Sequence, residues 1–272
     1  TQSKRLPEMV SEAFTVALTP RRGPVALNIP RDILAETSEV ESCASPASYR
    51  SAASAMGDDD LVARAAELLA GAARPLIIAG GGVKNGRSHA RTLRLAELLN
   101  APVALSPGHG DAIPCTHPLY AGQVGPRGNV VASDMARDAD VILALGTRLG
   151  FNTTFYSYDN LSRSAKIIHV ELEPTAVGRF FPVAVGIVGD AGKVAAQLAH
   201  ELSSRKTNPA AVAWAQTFQA KRRDLLAERE KGAPASEPLQ PAALFRTLRA
   251  VLPKATMFTM DAGTLCLQAT DQ

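Results

Sequence analysis

The feature that most restricts this chain is a series of short segments that are apolar at nearly every position: Leu76 to Ala79, Val103 to Leu105, Val141 to Leu145, Ile167 to Val170 and Gly186 to Val188. A strand with one wet face alternates apolar and polar residues. A segment that does not alternate is covered on both faces, which is the condition of a parallel sheet. Parallel neighbours need long crossovers, and the stretches between these segments have helical period, around 87–99, 129–138 and 191–203. A further helix is expected at "DDDLVARAAELLAGA", with Asp58 to Asp60 as cap and dipole partners and Leu61, Ala65, Leu68 and Ala72 on one face. The pattern predicts an α/β fold, a doubly wound parallel sheet of about six strands, over residues 57–204.

The flanks read differently. Met9, Val10, Ala13, Phe14 and Ala17 repeat at helical spacing before Pro20 and Gly23, and Val25 to Ile29 is a short β-type run closed by Pro30. Residues 36–56 are rich in Ser and Ala without a sustained period, as in an extended linker. Beyond residue 204 come an amphipathic helix containing Trp214 and Phe218, the breaker "KGAPASEP", another helix, and a strand expected at Met257 to Met260 that leads into Asp261 and Gly263. These partial patterns suggest a piece of a longer chain.

Net charge is +3, from 29 basic and 26 acidic residues with no basic block, so neither nucleic acid nor a membrane surface is an expected partner. No apolar span reaches the roughly 18 residues of a membrane helix. Cys43, Cys115 and Cys266 are far apart and form no CxxC, which fits a reducing cytoplasm better than a disulfide framework or a zinc site. Lys221, Arg222 and Arg223 share a helix with Glu228 and Glu230 and are expected on a solvated face. His169, inside an apolar strand, is expected to be a satisfied core residue.

The glycines of "RPLIIAGGGVKNGRS" invite three readings. A dinucleotide fingerprint requires GxGxxG; Gly80 and Gly82 fit, but Asn85 holds the third position and "PVALSPG" lacks the acid expected at the end of the next strand. A P-loop requires Lys where Arg87 stands between Gly86 and Ser88, and Arg is no substitute for that compact charge. The third reading, which the residues favour, is structural: glycine lets the chain turn sharply and lets a neighbouring backbone or a flat ligand approach.

Six segments in order, "GPVALNIPRDIL", "RPLIIAGGGV", "GHGDAIPCTHPLYAGQVG", "ADVILALGTRL", "KIIHVELEP" and "VGIVGDAGKVAAQL", resemble the thiamine-diphosphate-dependent enzymes of the acetolactate synthase and pyruvate oxidase group. The resemblance implies that residues 1–35 end an N-terminal pyrimidine-binding domain, 36–56 link it to a central Rossmann-like domain at 57–204, 205–240 form a connecting helix and linker, and 241–272 begin a C-terminal diphosphate-binding domain. It implies an enzyme, a transferase or lyase, that forms an enamine from pyruvate or a related 2-oxo acid and passes it to an acceptor. Thiamine diphosphate and Mg²⁺ would be its cofactors, and a homodimer or homotetramer its intact form. "LNIPRD" is also similar to the sulfoacetaldehyde acetyltransferase branch, where the acetyl unit goes to phosphate.

By the same resemblance the catalytic residues lie outside this sequence, and the fragment alone is inactive. Gly263 and Thr264 would first touch the diphosphate. Gly189, Asp190 and Ala191, followed by Asn208, imitate the family's metal motif, but Asp190 is better read as a helix cap. Some relatives carry FAD or ADP in the central domain. The corresponding residues would be Gly80, Gly81, Gly82, Thr147, Arg148 and Glu171, with Glu173 nearby, and Glu where many relatives have Asp argues against a flavin. A free-standing nucleotide-binding or deacylase module, or a non-catalytic assembly domain, are the alternatives.

Overall fold

A computed structural model describes residues 3–19, 21–39, 42–50, 53–231, 239–253, 255–259, 261 and 263. The chain divides into two units, residues 1–55 and 56–272. The first contains helices α1 (Leu6–Leu18), α2 (Arg31–Ala35) and α3 (Pro46–Tyr49), and α1 has no fully buried residue. Val25 to Ile29 form no strand and pair with no other strand among the described residues, contrary to expectation. A strand needs a neighbour, and a β-type composition does not supply one.

In the second unit, α4 (Asp59–Gly71) leads into β1 (Pro75–Ala79), followed by α5 (Gly81–Asn85) and α6 (His89–Leu99). Then come β2 (Val103–Leu105), β3 (Tyr120–Gln123), α7 (Val130–Asp138), β4 (Val141–Leu145), α8 (Phe151–Thr154) and β5 (Lys166–Glu171). The unit continues with β6 (Val185–Val188), α9 (Ala191–Ser203), α10 (Ala210–Lys231) and α11 (Pro241–Val251). The six strands form one parallel sheet in the order β3-β2-β1-β4-β5-β6, the doubly wound topology expected. Met257 to Thr259 form no strand, contrary to expectation, and Met260 lies outside the described residues.

Alternate residues of each central strand feed two cores. Ile77, Leu143 and Leu145 face one that α4, α6 and α9 cover; Leu76, Ile78 and Ile142 face another that α7 and α10 cover. Trp214 and Phe218 of α10 are buried in the second core, so their helical stripe packs on this unit. The reading of Lys221, Arg222 and Arg223 as a solvated face fails at Arg222. Its guanidinium donates to the carbonyls of Cys115 and His117, both at 2.8 Å, and stands over the Tyr120 ring. The long aliphatic stem reaches back from a wet helix to clamp the loop before β3.

Side chains complete the hydrogen bonding at the amino ends of the strands. Asp140 accepts from the Ala73 and Arg74 N–H groups at 2.8 and 2.9 Å, and Trp214 Nε1 donates to the Pro75 carbonyl at 3.0 Å. No helix among the described residues is long and apolar enough to cross a membrane.

Candidate functional site at the carboxyl edge of the sheet

The chain leaves β1 outward through β2 and β3, then returns to β4 on the other side of β1. The loops after β1 and β4 therefore diverge, and the carboxyl edge at such a reversal is where open α/β sheets bind ligands. Here those two loops touch. Gly80 N–H donates to the Leu145 carbonyl at 3.1 Å and Gly82 N–H to the Gly146 carbonyl at 2.9 Å. A Cβ at Gly82 would stand 2.7 Å from the Gly146 Cα, and Gly146 has φ +60°. Backbone meets backbone at this crossing, and only glycine on both sides permits it. The structural reading of the glycine run thus has a definite cause.

The other anticipated nucleotide contacts are also engaged within the fold. Thr147 is buried and its hydroxyl lies 2.6 Å from that of Ser106. Glu171 Oε1 accepts from the Leu172 N–H at 2.9 Å, and Glu173 Oε1 accepts from the Thr175 hydroxyl at 3.0 Å. His169 is the satisfied core histidine expected: Nε2–H donates to the Thr147 carbonyl at 2.8 Å and Nδ1 accepts from the Gly178 N–H at 3.2 Å. Both contacts suit the neutral ring, and burial pushes its pKa below the ordinary range despite the Thr147 carbonyl and Glu171. Asp190 accepts from the Gly192 and Lys193 N–H groups, both at 3.0 Å, as the cap of α9.

Gly81 and Arg148 remain, and they lie in a cluster that sequence reasoning missed. A Cβ at Gly81 would stand 3.0 Å from the His109 ring. His109 Nδ1 is buried without a hydrogen-bond partner among the described residues. Burial lowers the pKa of His109 most, Lys84 and Arg148 lower it further, and only Asp111 opposes them. Lys84 pairs with Asp111 at 3.0 Å, a half-exposed bridge. The site presents cations around an unpartnered imidazole nitrogen; an anion placed there would relieve their repulsion and favour the imidazolium. The sequence signal was slight: "GHGD" supplies a turn and a His–x–Asp, which many loops share.

The same edge carries an exposed aromatic group. Phe151 stacks on Phe155 at 4.6 Å between ring centroids, and Tyr156 lies 4.5 Å from Phe180, over which Arg179 is placed. Leu149, Phe155 and Tyr156 all have φ near +50°, a costly conformation for residues with side chains. The dense "FNTTFYSY" in a chain that is only 5% aromatic was an available cue. Gly263 has open space around it among the described residues, whereas Thr264 lies outside them.

A six-stranded doubly wound domain with this carboxyl-edge crevice is shared by many nucleotide and cofactor proteins. The profile of the family described as "Thiamine pyrophosphate enzyme, central domain" matches residues 62–198, just over half of the chain, and the protein belongs to that family. It is similar to the sulfoacetaldehyde acetyltransferase of Roseovarius nubinhibens, 35% identical over 89% of this chain and 43% of that protein. It is also similar to the acetolactate synthase isozyme 3 large subunit of Escherichia coli, 29% identical over 96% of this chain and 46% of that protein. The chain thus spans under half the length of these relatives. The fold is that of a solved putative thiamin diphosphate-dependent enzyme from Mycobacterium smegmatis, with a TM-score of 0.60 at 24% identity, over 74% of this chain and 38% of that one.

Proposed function

We propose that this chain is the central domain, with flanking segments, of a thiamine-diphosphate-dependent transferase that takes an acetyl-type unit from a 2-oxo acid or related aldehyde. The observation that carries the reading is that the similarity extends through both flanks, over 89% and 96% of the chain. Of the two branches, identity is higher to the sulfoacetaldehyde acetyltransferase than to the acetolactate synthase, which favours phosphate as acceptor over a second 2-oxo acid. When bound, thiamine diphosphate supplies the electron sink for such chemistry. By resemblance Gly263 and Thr264 would meet its diphosphate, with Mg²⁺ bridging. None of the bond changes is assigned to a residue described here, and a homodimer or homotetramer belongs to the same proposal.

The test uses the complete reading frame that contains these residues. Formation of acetyl phosphate and sulfite from sulfoacetaldehyde and phosphate is expected, with the C–S bond broken as the acetyl unit passes to phosphate, and is lost on removal of thiamine diphosphate or Mg²⁺. Acetolactate formation from pyruvate instead would return the protein to the other branch. Turnover that survives without thiamine diphosphate would overturn both.

For the central domain, the cations Lys84 and Arg148 beside His109 suit the phosphates of an ADP-like nucleotide. Glu171 and Glu173 each spend one carboxylate oxygen on a neighbouring donor, and Glu stands where many relatives have the shorter Asp, which argues against a flavin ribose at the position anticipated. Calorimetry with ADP, FAD and coenzyme A is expected to give ADP binding without FAD binding; tight FAD binding would contradict this reading.

A further inference from the structure

Away from the carboxyl edge, α6 and α9 lie side by side over one face of the sheet. Between their outer sides is an open groove of about 210 Å³, lined by Arg91, Arg94, Ala196, Ala199, His200 and Ser203. Arg91 and Arg94, three apart, stand on the same side of α6. Neither guanidinium has an ion pair or hydrogen bond among the described residues, and neither does the His200 ring. The acids within the two helices are turned elsewhere. Glu97, the sole acid of α6, faces His117 at 3.2 Å, and Glu201, the sole acid of α9, faces Arg205 at 3.5 Å.

Like charges three apart on a helix cost a few tenths of a kcal/mol unless something screens them. Two arginines lining one groove can match the oxygens of a phosphate, which accepts paired N–H donors. Ala196 and Ala199 give the groove an apolar floor with room above it. Its volume is below the roughly 300–1,000 Å³ of sites that hold drug-sized ligands, which suits a small ligand. We propose that the α6–α9 groove binds a small phosphate monoester, its phosphate across Arg91 and Arg94 with His200 beside it, and its short carbon skeleton over Ala196 and Ala199.

The test is calorimetric titration of the 272-residue chain with glycerol 3-phosphate and with inorganic phosphate at fixed ionic strength. One saturable site is expected, weakened at least about tenfold by Arg91→Ala or Arg94→Ala and partly retained in Arg91→Lys. Ala196→Trp is expected to weaken glycerol 3-phosphate more than inorganic phosphate. Circular dichroism of each variant confirms that these exposed substitutions leave the fold intact, and Arg64→Ala is a control for net charge. Failure to saturate would overturn the proposal. So would binding that Arg148→Ala removes and Arg91→Ala spares, because that places the ligand at the carboxyl edge. Capture of a polyglutamate peptide without glycerol 3-phosphate binding would make the groove a protein-docking surface instead.

Discussion

The two edges of the sheet solve the same problem in opposite ways. At the amino edge, side chains complete the backbone: Asp140 accepts two N–H groups and Trp214 donates to Pro75. At the carboxyl edge the backbone completes itself, through the contact of Gly80 and Gly82 with Leu145 and Gly146. Lys84 still ties α5 to Asp111 in the loop after β2, but His109 Nδ1 has no hydrogen-bond partner among the described residues. On the proposed reading, the ligand is served by the groups at this edge that no hydrogen bond or ion pair engages among the described residues, His109 Nδ1 and Arg148.

The largest effect should come from the glycine crossing. Gly146→Ala adds a Cβ against the Gly82 backbone at a left-handed residue, and about 3–4 kcal/mol of stability should be lost in urea unfolding. Asp140→Ala leaves two N–H groups without their charged acceptor and should cost about 2 kcal/mol by the same measurement. Trp214→Phe keeps most of the ring but strands the Pro75 carbonyl, for about 1 kcal/mol. His109→Ala and Arg148→Ala should change stability by about 0.5 kcal/mol or less while weakening ADP at least about tenfold. If they cost as much as Asp140→Ala, the contrast between the edges fails.

A pH dependence sharpens the same contrast. Burial, the dominant influence, holds His169 below the ordinary imidazole range, so the unfolded chain takes up its proton first as pH falls. Stability from this residue is complete above that range and is lost as pH drops through it toward the folded value. Unfolding at pH 8 and pH 5 should show the loss, and His169→Gln should reduce it. An unchanged slope in that variant would assign the effect to other groups.

The sheet was legible because its strands lack alternation and α4, α7 and α9 carry side-chain caps at Asp58, Asn129 and Asp190. Val103–Leu105, Val141–Leu145 and 191–203 stand where their patterns put them. β3 was not, because Tyr120–Gln123 contains Gly122 at φ +83° and lies at the sheet edge, where four mixed residues resemble a loop. The expected strand at Val25 to Ile29 failed for the converse reason: composition was right, and no strand pairs with it among the described residues. At the site, Gly80 to Gly82 were conspicuous, but their purpose depends on Gly146, some 65 residues away. His109 had no signal of its own, since an unpartnered nitrogen exists only once the chain has folded around it.

The most direct test is nitrogen-15 NMR of the histidine rings during an ADP titration. Without ligand, His109 should titrate below the ordinary range; with ADP its pKa should rise and its Nδ1 resonance should move. His169, bonded at both nitrogens, should change little. A His109 that does not respond, or a His169 that responds equally, would contradict the assignment of the carboxyl edge as the binding edge.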